Sequence, residues 1–260
     1  MKQPRSTYSA VATTPVVSAG ATLGPIPALR IQNVSFAYSR QRPRSGDMPW
    51  SIEIGNIALE RGKQMLMTAD SGGGKSTILH LIAGLIEPEK GVIEIGGTAI
   101  NELRGADRDK FRGKNIGMIF QSFNLLPGFT ALENVMAAML MSGFPNYQFK
   151  PKAHALLDRL QIKHHAQKVE TMSMGQQQRV AVARALVCDP ILVIADEPTA
   201  SLDPTNGNVC MDLIQNLCDE KGAALLCVSH DPGMAVRFDR RVKLEDLRPA
   251  TPFAARARIA

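Results

Sequence analysis

The 260 residues can form one large domain or two small ones, and a hydrophobic fraction of 45% allows a sizeable core. No apolar run reaches the ~20 residues that cross a bilayer, and the four scattered cysteines argue against a disulfide framework or a zinc site. Residues 1–46 hold six of the 30 basic residues and no acid, which leaves 24 basic residues against 24 acidic ones. The net charge of +6 therefore lies at the front of the chain and argues against a basic domain that binds nucleic acid.

The chain begins with a segment that lacks helical or strand periodicity. We predict that residues 1–28 form a flexible extension, and the prolines and glycines in it argue against a secretory signal. Apolar and polar residues then alternate over residues 30–38 and 51–59, which predicts two strands, with a basic loop at 39–47 between them. Residues 64–68 predict a short strand that runs into a glycine-rich loop.

The next segments predict a change from helix to strand. Residues 76–86 have apolar side chains at helical spacing, and residues 91–100 predict a strand or a hairpin interrupted by Gly96 and Gly97. An apolar strand is predicted at 116–120, immediately before Gln121.

Three helices are predicted further along the chain. The first covers residues 130–141, where Thr130 and Glu133 have the spacing of a capping box. The others are predicted at 151–162 and at 173–187.

Two apolar runs, at 191–195 and 223–228, are typical of parallel strands buried on both faces. Strand–loop–helix units in this order predict an α/β fold with a mostly parallel sheet. We place one domain at 29–260, after the extension.

The glycine-rich loop TADSGGGKST, residues 68–77, comes close to the phosphate-binding pattern G-x-x-x-x-G-K-[ST]. Its three consecutive glycines leave backbone amides free to close around phosphate oxygens. Lys75 can reach the β- and γ-phosphates, and the Ser76 hydroxyl can bind Mg²⁺. Ala69 stands where the pattern has its first glycine.

The run ILVIADE ends a predicted strand in two acids. Asp196 is placed to hold Mg²⁺, and Glu197 is placed to orient and deprotonate a water molecule. A pair of exposed acids at a strand end is an equally good interpretation of this run alone.

The run MSMGQQQRVAVARAL, residues 172–186, predicts a helix capped by Ser173. The positive end of such a helix can bind a second phosphate group. Because it lies far from the glycine loop in sequence, a second copy of the chain could supply it. An ordinary capped amphipathic helix is the alternative.

Taken together, these motifs resemble the ATP-binding subunits of ABC transporters over residues 29–247. Residues 172–176 resemble the LSGGQ signature, and Asp196 with Glu197 resembles the end of the Walker B motif. Residues 200–203 resemble the D-loop. Gln121 in IGMIFQSFNLLP resembles the Q-loop glutamine, and His230 in LLCVSH resembles the switch histidine.

The resemblance implies a P-loop NTPase core with a mostly parallel sheet, an N-terminal antiparallel β subdomain and an inserted helical subdomain at about 122–172. It also implies a head-to-tail homodimer that encloses two molecules of ATP with Mg²⁺, with Asp203 at the dimer seam. Tyr38 is expected to stack on adenine. The expected catalytic residues are Glu197, His230, Gln121 and Lys75, and the expected metal ligands are Ser76, Gln121 and Asp196. The expected nucleotide-binding residues are Tyr38, Asp70, Ser71, Gly72, Gly73, Gly74, Lys75, Ser76, Thr77, Gln121, Ser173, Gly175, Gln176 and Asp203.

Within that family, residues 111–135 resemble the lipoprotein-release and macrolide-efflux group. This resemblance implies a membrane permease as the partner, a peripheral position on the cytoplasmic face of the cell membrane and no nucleic-acid partner. An amino-acid importer subunit, a weakly hydrolysing regulatory subunit and a soluble ATPase acting on DNA or ribosomes are the alternatives.

Three departures from the family pattern predict slower ATP turnover. Ala69 would be strained if its position needs a positive φ, and Met174 replaces a signature glycine and could crowd the γ-phosphate. Asp70 adds a negative charge near the phosphate loop.

Overall fold

The computed structural model describes residues 25–38, 51–69 and 72–249, which fold around two β-sheets. The extension predicted at 1–28 falls almost wholly outside the described residues, as do the basic loop at 39–47 and the predicted site residues Asp70 and Ser71.

The first sheet has four antiparallel strands in the order β2-β1-β4-β5. The strands are β1 Leu29–Ala37, β2 Ser51–Leu59, β4 Lys90–Ile95 and β5 Thr98–Ala99. In the register of β1 and β2, Leu29 lies opposite Leu59 and Ile31 lies opposite Ile57, so the alternating apolar residues share one buried face. The predicted antiparallel subdomain is confirmed, and β4 with β5 forms the hairpin expected around Gly96 and Gly97.

The second sheet has five parallel strands in the order β6-β7-β8-β3-β9. The strands are β3 Gln64–Thr68, β6 Ile116–Ile119, β7 Leu192–Asp196, β8 Ala224–Val228 and β9 Arg240–Lys243. Every residue of β8 is buried, as expected for a central strand covered on both faces. The predicted mostly parallel core is therefore confirmed.

The described residues contain seven α-helices. They are α1 Lys75–Ile82, α2 Gly105–Asn115, α3 Ala131–Ser142, α4 Phe149–Arg159, α5 Met174–Leu186, α6 Pro204–Lys221 and α7 Pro232–Ala235. The helix predicted at 76–86 is shorter than expected, because Gly84 takes a left-handed φ of 65° just after its end. The capping box of Thr130 and Glu133 at the start of α3 is confirmed. Helices α2, α6 and α7 were not predicted from the sequence.

The parallel sheet separates two hydrophobic cores. Alternate residues of β7 point to opposite sides, with Val193 and Ala195 in one core and Leu192 and Ile194 in the other. The first core holds α3 to α6, and the second joins α1 to the antiparallel sheet. All four cysteines are buried and free, as the sequence indicated. Among the described residues, no helix has the length and apolar character of a membrane span.

Candidate functional site

The predicted site residues gather at one edge of the parallel sheet. Strand β3 ends at Thr68 before the glycine loop, β7 ends at Asp196, and β8 ends two residues before His230. Gln121 follows β6 in the same way. Because the carboxyl ends of parallel strands share one edge, four segments distant in sequence meet there.

The glycine loop leads directly into α1. Gly74 is the N-cap residue and has a φ of 101°, which a residue with a Cβ adopts only at a cost. Lys75 is the first residue of the helix, and its Nζ donates to the carbonyl oxygen of Ala69 at 3.0 Å. Ser76 is exposed beside it, whereas Thr77 is buried. The amides and the dipole at this helix start face the loop and suit an anion.

Ala69 does not have the strain that the sequence analysis considered. It is not among the residues with a positive φ, and its side chain is buried in the core that joins α1 to the antiparallel sheet. The methyl group therefore has no backbone penalty here, and this reason for slower turnover does not hold.

Tyr38 lies beside the start of α1. Its hydroxyl is 3.0 Å from Oγ1 of Thr77, and its ring contacts Phe36 edge-to-face. The side chain is 60% exposed, so a planar ligand can reach the ring.

Glu197 is fixed by a set of hydrogen bonds at the end of β7. Its carboxylate accepts from Ser229 Oγ at 2.9 Å and from the backbone amide of His230 at 3.1 Å. Nδ1 of His230 lies 2.6 Å from the same carboxylate. Glu197 is nearly buried, whereas the His230 side chain is 70% exposed and can reach a ligand in the cleft.

The neighbouring acid, Asp196, is destabilised as an anion. Burial raises the pKa of its carboxyl, and the negative charge of Glu197 raises it further, while Lys75 and His80 act in the opposite direction. A bound cation would relieve this cost.

Gln121 is exposed on a loop that is anchored through its backbone. Ser201 donates to the carbonyl oxygen of Gln121 at 3.1 Å. The guanidinium of Arg184 on α5 donates to the carbonyl of Phe123 at 2.7 Å and also to that of Asn124. Phe123 and Asn124 both have a positive φ, so Arg184 stabilises a strained turn.

An open cleft of about 680 Å³ adjoins these groups. Its lining includes Gln121, Glu197, Asp203 and His230. Asp203 caps α6 by accepting from the backbone amide of Asn206 at 3.1 Å, and hydrogen bonds from Asn206 keep the pKa of its carboxyl below the usual value.

The signature residues lie at the start of α5. Ser173 Oγ accepts from the amide of Gln176 at 3.3 Å, and Gln176 accepts from the amide of Ser173 at 2.9 Å, which completes a capping box. The amides of Met174 and Gly175 lie in the first turn of α5, where backbone N–H groups have no intrahelical acceptor. A Cβ placed on Gly175 would meet nothing within 4 Å, and Met174 is 52% exposed. In the described part of the chain, no hydrogen bond joins these residues to the glycine loop.

The ABC transporter family model matches residues 53–200, more than half of the chain. The chain belongs to the ABC transporter ATP-binding family. It is 38% identical over 192 residues to the lipoprotein-releasing system ATP-binding protein LolD of Shewanella denitrificans, covering 74% of this chain and 82% of the relative. It is also 38% identical to the LolD protein of Desulfotalea psychrophila, covering 78% of this chain and 92% of the relative.

Solved ABC cassettes have the same fold. The cassette MJ0796, in a dimeric post-hydrolysis state with ADP and phosphate, superposes with a TM-score of 0.71 at 31% identity, covering 86% of this chain and 97% of that one. A second dimeric structure of the same bacterial cassette gives a TM-score of 0.70 at 32% identity, with coverages of 83% and 93%. The P-loop NTPase fold, the binding of nucleotide and the ATPase class predicted from the sequence are confirmed.

Four residues that contact the site were not predicted from the sequence. They are Gln178, Arg184, Ser201 and Ser229. Ser229 could have been found from its place beside His230 at the end of an apolar strand. The other three act on the backbone of distant segments, which no local pattern reveals.

Proposed function

We propose that this chain is the ATP-hydrolysing subunit of an ABC transporter that drives a separate membrane permease. One observation carries the site assignment. Glu197 is held by Ser229 and His230 next to Asp196, at the sheet edge where Lys75 begins the helix after the glycine loop.

Each residue has a distinct part in the proposed reaction. Lys75 and the glycine-loop amides bind the β- and γ-phosphates. Glu197 orients the attacking water and accepts its proton. His230 contacts the γ-phosphate, and Gln121 reports its presence to the loop that Arg184 and Ser201 hold. Tyr38 stacks on the adenine ring.

The oxygen donors at this edge fit Mg²⁺. The Ser76 hydroxyl, the Gln121 amide oxygen and the Asp196 carboxylate are the hard ligands that this ion prefers, and the raised pKa of Asp196 supports a role for added positive charge at this edge. When bound, the ion would neutralise charge that develops on the phosphates.

We further propose a head-to-tail homodimer. Ser173, Gly175 and Gln176 present the positive end of α5 without a ligand-binding partner in the described part of their own chain. In the dimer they would bind the γ-phosphate held by the second copy, with Asp203 near the seam. The dimeric cassettes among the structural neighbours support this arrangement.

The proposed partner is a permease that extracts lipoproteins or related amphiphiles. The relatives named as lipoprotein-releasing proteins support this substrate class. The helical region at about 122–172 exposes Leu140, Met141 and Tyr147, which gives a membrane partner an apolar surface. This docking would place the chain peripherally at the cytoplasmic face of the membrane.

A weakly hydrolysing regulatory subunit is the second candidate. The exposed side chain of Met174 at the start of α5 favours it, because the methionine occupies space where a phosphate would approach.

The test is phosphate release from ATP by the purified chain, with and without Mg²⁺, and with membrane proteins that co-purify with it. We expect Mg²⁺-dependent release that Lys75→Ala abolishes. Lys163→Ala, at an exposed loop position, serves as the control and should leave the rate unchanged. Absence of release in the presence of the co-purified membrane proteins would contradict an ATPase subunit and favour the regulatory one.

A further inference from the structure

A buried glutamine on α5 meets the backbone that carries the proposed general base. Gln178 is fully buried, and its Nε2 donates to the carbonyl oxygen of Pro198 at 2.7 Å. Pro198 directly follows Glu197. The amide of Gln178 therefore holds the peptide one residue beyond the catalytic carboxylate.

That stretch of backbone is strained. Glu197 has a φ of 46°, in the left-handed region that residues other than glycine rarely adopt. It also precedes a proline, and the proline ring pushes the preceding residue towards extended conformations. Strained backbone of this kind persists only where the surrounding structure holds it in place.

Hydrogen bonds from the backbone and from one side chain hold the turn at Glu197 and Pro198. The amide of Glu197 donates to the Val228 carbonyl at 2.9 Å, and its carbonyl accepts from the amide of Ala200 at 3.2 Å. Both bonds are made by backbone, so they fix Glu197 to β8 and close the turn. The side-chain bond from Gln178 then fixes the next residue, Pro198, to helix α5.

Burial of the Gln178 amide group costs free energy. Its Oε1 is buried and makes no hydrogen bond of normal geometry, although the side chain also interacts with the Cys210 thiol. An apolar side chain of similar volume would avoid that penalty but would leave the Pro198 carbonyl without its side-chain donor. The amide group thus supports the peptide that follows one of the strained residues of the described backbone.

We infer that Gln178 is a positioning residue for ATP hydrolysis, which holds the strained turn at Glu197 and Pro198 so that the carboxylate stays aligned for the attacking water. This inference rests on the proposed role of Glu197 as the general base. Gln178 is fully buried and does not line the open cleft, so we expect it to act on the chemical step and not on ATP affinity.

The test compares kcat and KM for ATP in the full chain with and without the amide. Gln178→Met removes the donor at similar volume, and we expect kcat to fall at least about tenfold because small displacements of a catalytic group are costly. KM for ATP should stay within about twofold, since interactions that act on the chemical step leave ground-state binding unchanged.

Gln215→Met on α6 is the matched control. Its amide donates to Gln64 at 2.8 Å and to the Arg237 carbonyl at 3.1 Å, near the start of β3 and so at the opposite end of the sheet. This change removes similar hydrogen bonds, so it should lower thermal stability while kcat stays at the wild-type value. Gln178→Asn, which keeps an amide too short to reach Pro198, provides a milder variant if the methionine variant does not fold.

A double-mutant cycle adds a second readout. Pro198→Ala releases the restriction on Glu197, so the loss of kcat caused by Gln178→Met should be smaller in that background than in the wild type. Equal losses in both backgrounds, or a changed KM with an unchanged kcat, would overturn the positioning role. A wild-type chain that releases no phosphate would overturn the proposed function as well, whereas an active wild type with unaffected Gln178 variants overturns this inference alone.

Discussion

The carboxyl edge of the parallel sheet and the start of α5 offer phosphate-binding chemistry in two different states. At the sheet edge, Ser229 and His230 both bond to Glu197, and the Lys75 side chain bonds to the Ala69 carbonyl. At the start of α5, the side chains of Ser173 and Gln176 bond within their capping box and to no other described residue, next to an exposed Met174.

The difference lies in how each region assembles its phosphate-binding groups. A parallel sheet brings distant segments together at one edge, so the proposed catalytic groups can all come from one chain. A helix N-terminus carries its own binding capacity and needs only an anion to approach it. The sheet edge thus gathers its chemical groups within one chain, whereas the start of α5 offers backbone amides that would face the second copy in the proposed dimer.

The largest expected effect is at the sheet edge. Glu197→Gln keeps the acceptor for Ser229 but removes the base, so turnover should fall by about 10²–10⁴-fold while ATP binding persists. The variant should accumulate as a dimer when gel filtration is run with ATP. A monomer with normal turnover would contradict the role of Glu197.

The next largest effect is expected at the start of α5, which can be compared with the capping box at the start of α3. Ser173→Ala and Thr130→Ala each remove one box, and each should lower the free energy of unfolding by about 1 kcal/mol. Only Ser173→Ala should also lower the ATPase rate, by about tenfold or more, because hydrogen bonds to charged groups are strong. Denaturant unfolding and phosphate release measure both quantities. Equal ATPase rates in the two variants would show that the α5 start binds no phosphate.

A smaller effect, a rise in ATP turnover, is expected when the Met174 side chain is removed from the start of α5. Met174→Gly removes an exposed side chain and should raise turnover by about two- to threefold, the change produced by relief of about 0.5 kcal/mol in the barrier. The control is Met141→Gly, at an exposed methionine near the end of α3, which should leave the rate of the isolated chain unchanged. An equal or lower rate for the Met174 variant would contradict crowding at the phosphate.

The smallest effect is on stability at the sheet edge. The folded-state pKa of Asp196 is raised by burial and by Glu197, so its ionised carboxyl lowers the stability of the nucleotide-free protein as pH rises above the usual value of 3.8. Asp196→Asn should therefore raise the melting temperature by about 1–3 °C at neutral pH, and the gain should vanish as pH falls and the wild-type carboxyl becomes protonated.

Asp189→Asn provides a control of opposite sign. Burial of Asp189 opposes ionisation, but hydrogen bonds and charges from Lys152 and Lys221 outweigh it, so the pKa of this carboxyl lies below its usual value. A depressed pKa stabilises the fold above the unfolded-state pKa, and that contribution is lost as pH falls through the folded-state value. The asparagine variant should therefore melt at a lower temperature at neutral pH. Melting temperatures that move in the same direction for both variants would contradict this electrostatic account.

Much of the fold followed from local pattern, and so did the residues proposed for the site. The apolar runs before Lys75, Gln121, Asp196 and His230 identified four strands of one parallel sheet, and the spacing of Thr130 and Glu133 identified a capping box. Helix α6 was missed because Gly207 and several polar residues obscure its periodicity. Its N-cap, Asp203, was expected at the dimer seam and not as the cap of a helix.

The residue types of the loop, the paired acids and the serine-capped helix were sufficient to indicate ATP chemistry, because each carries its binding capacity in a few consecutive residues. The sequence could not show that Ala69 is unstrained, that Arg184 holds the turn after Gln121, or that Gln178 reaches the peptide beyond Glu197. These contacts join segments tens of residues apart, and only packing of α5 against the sheet and its loops brings their donors and acceptors within hydrogen-bond distance.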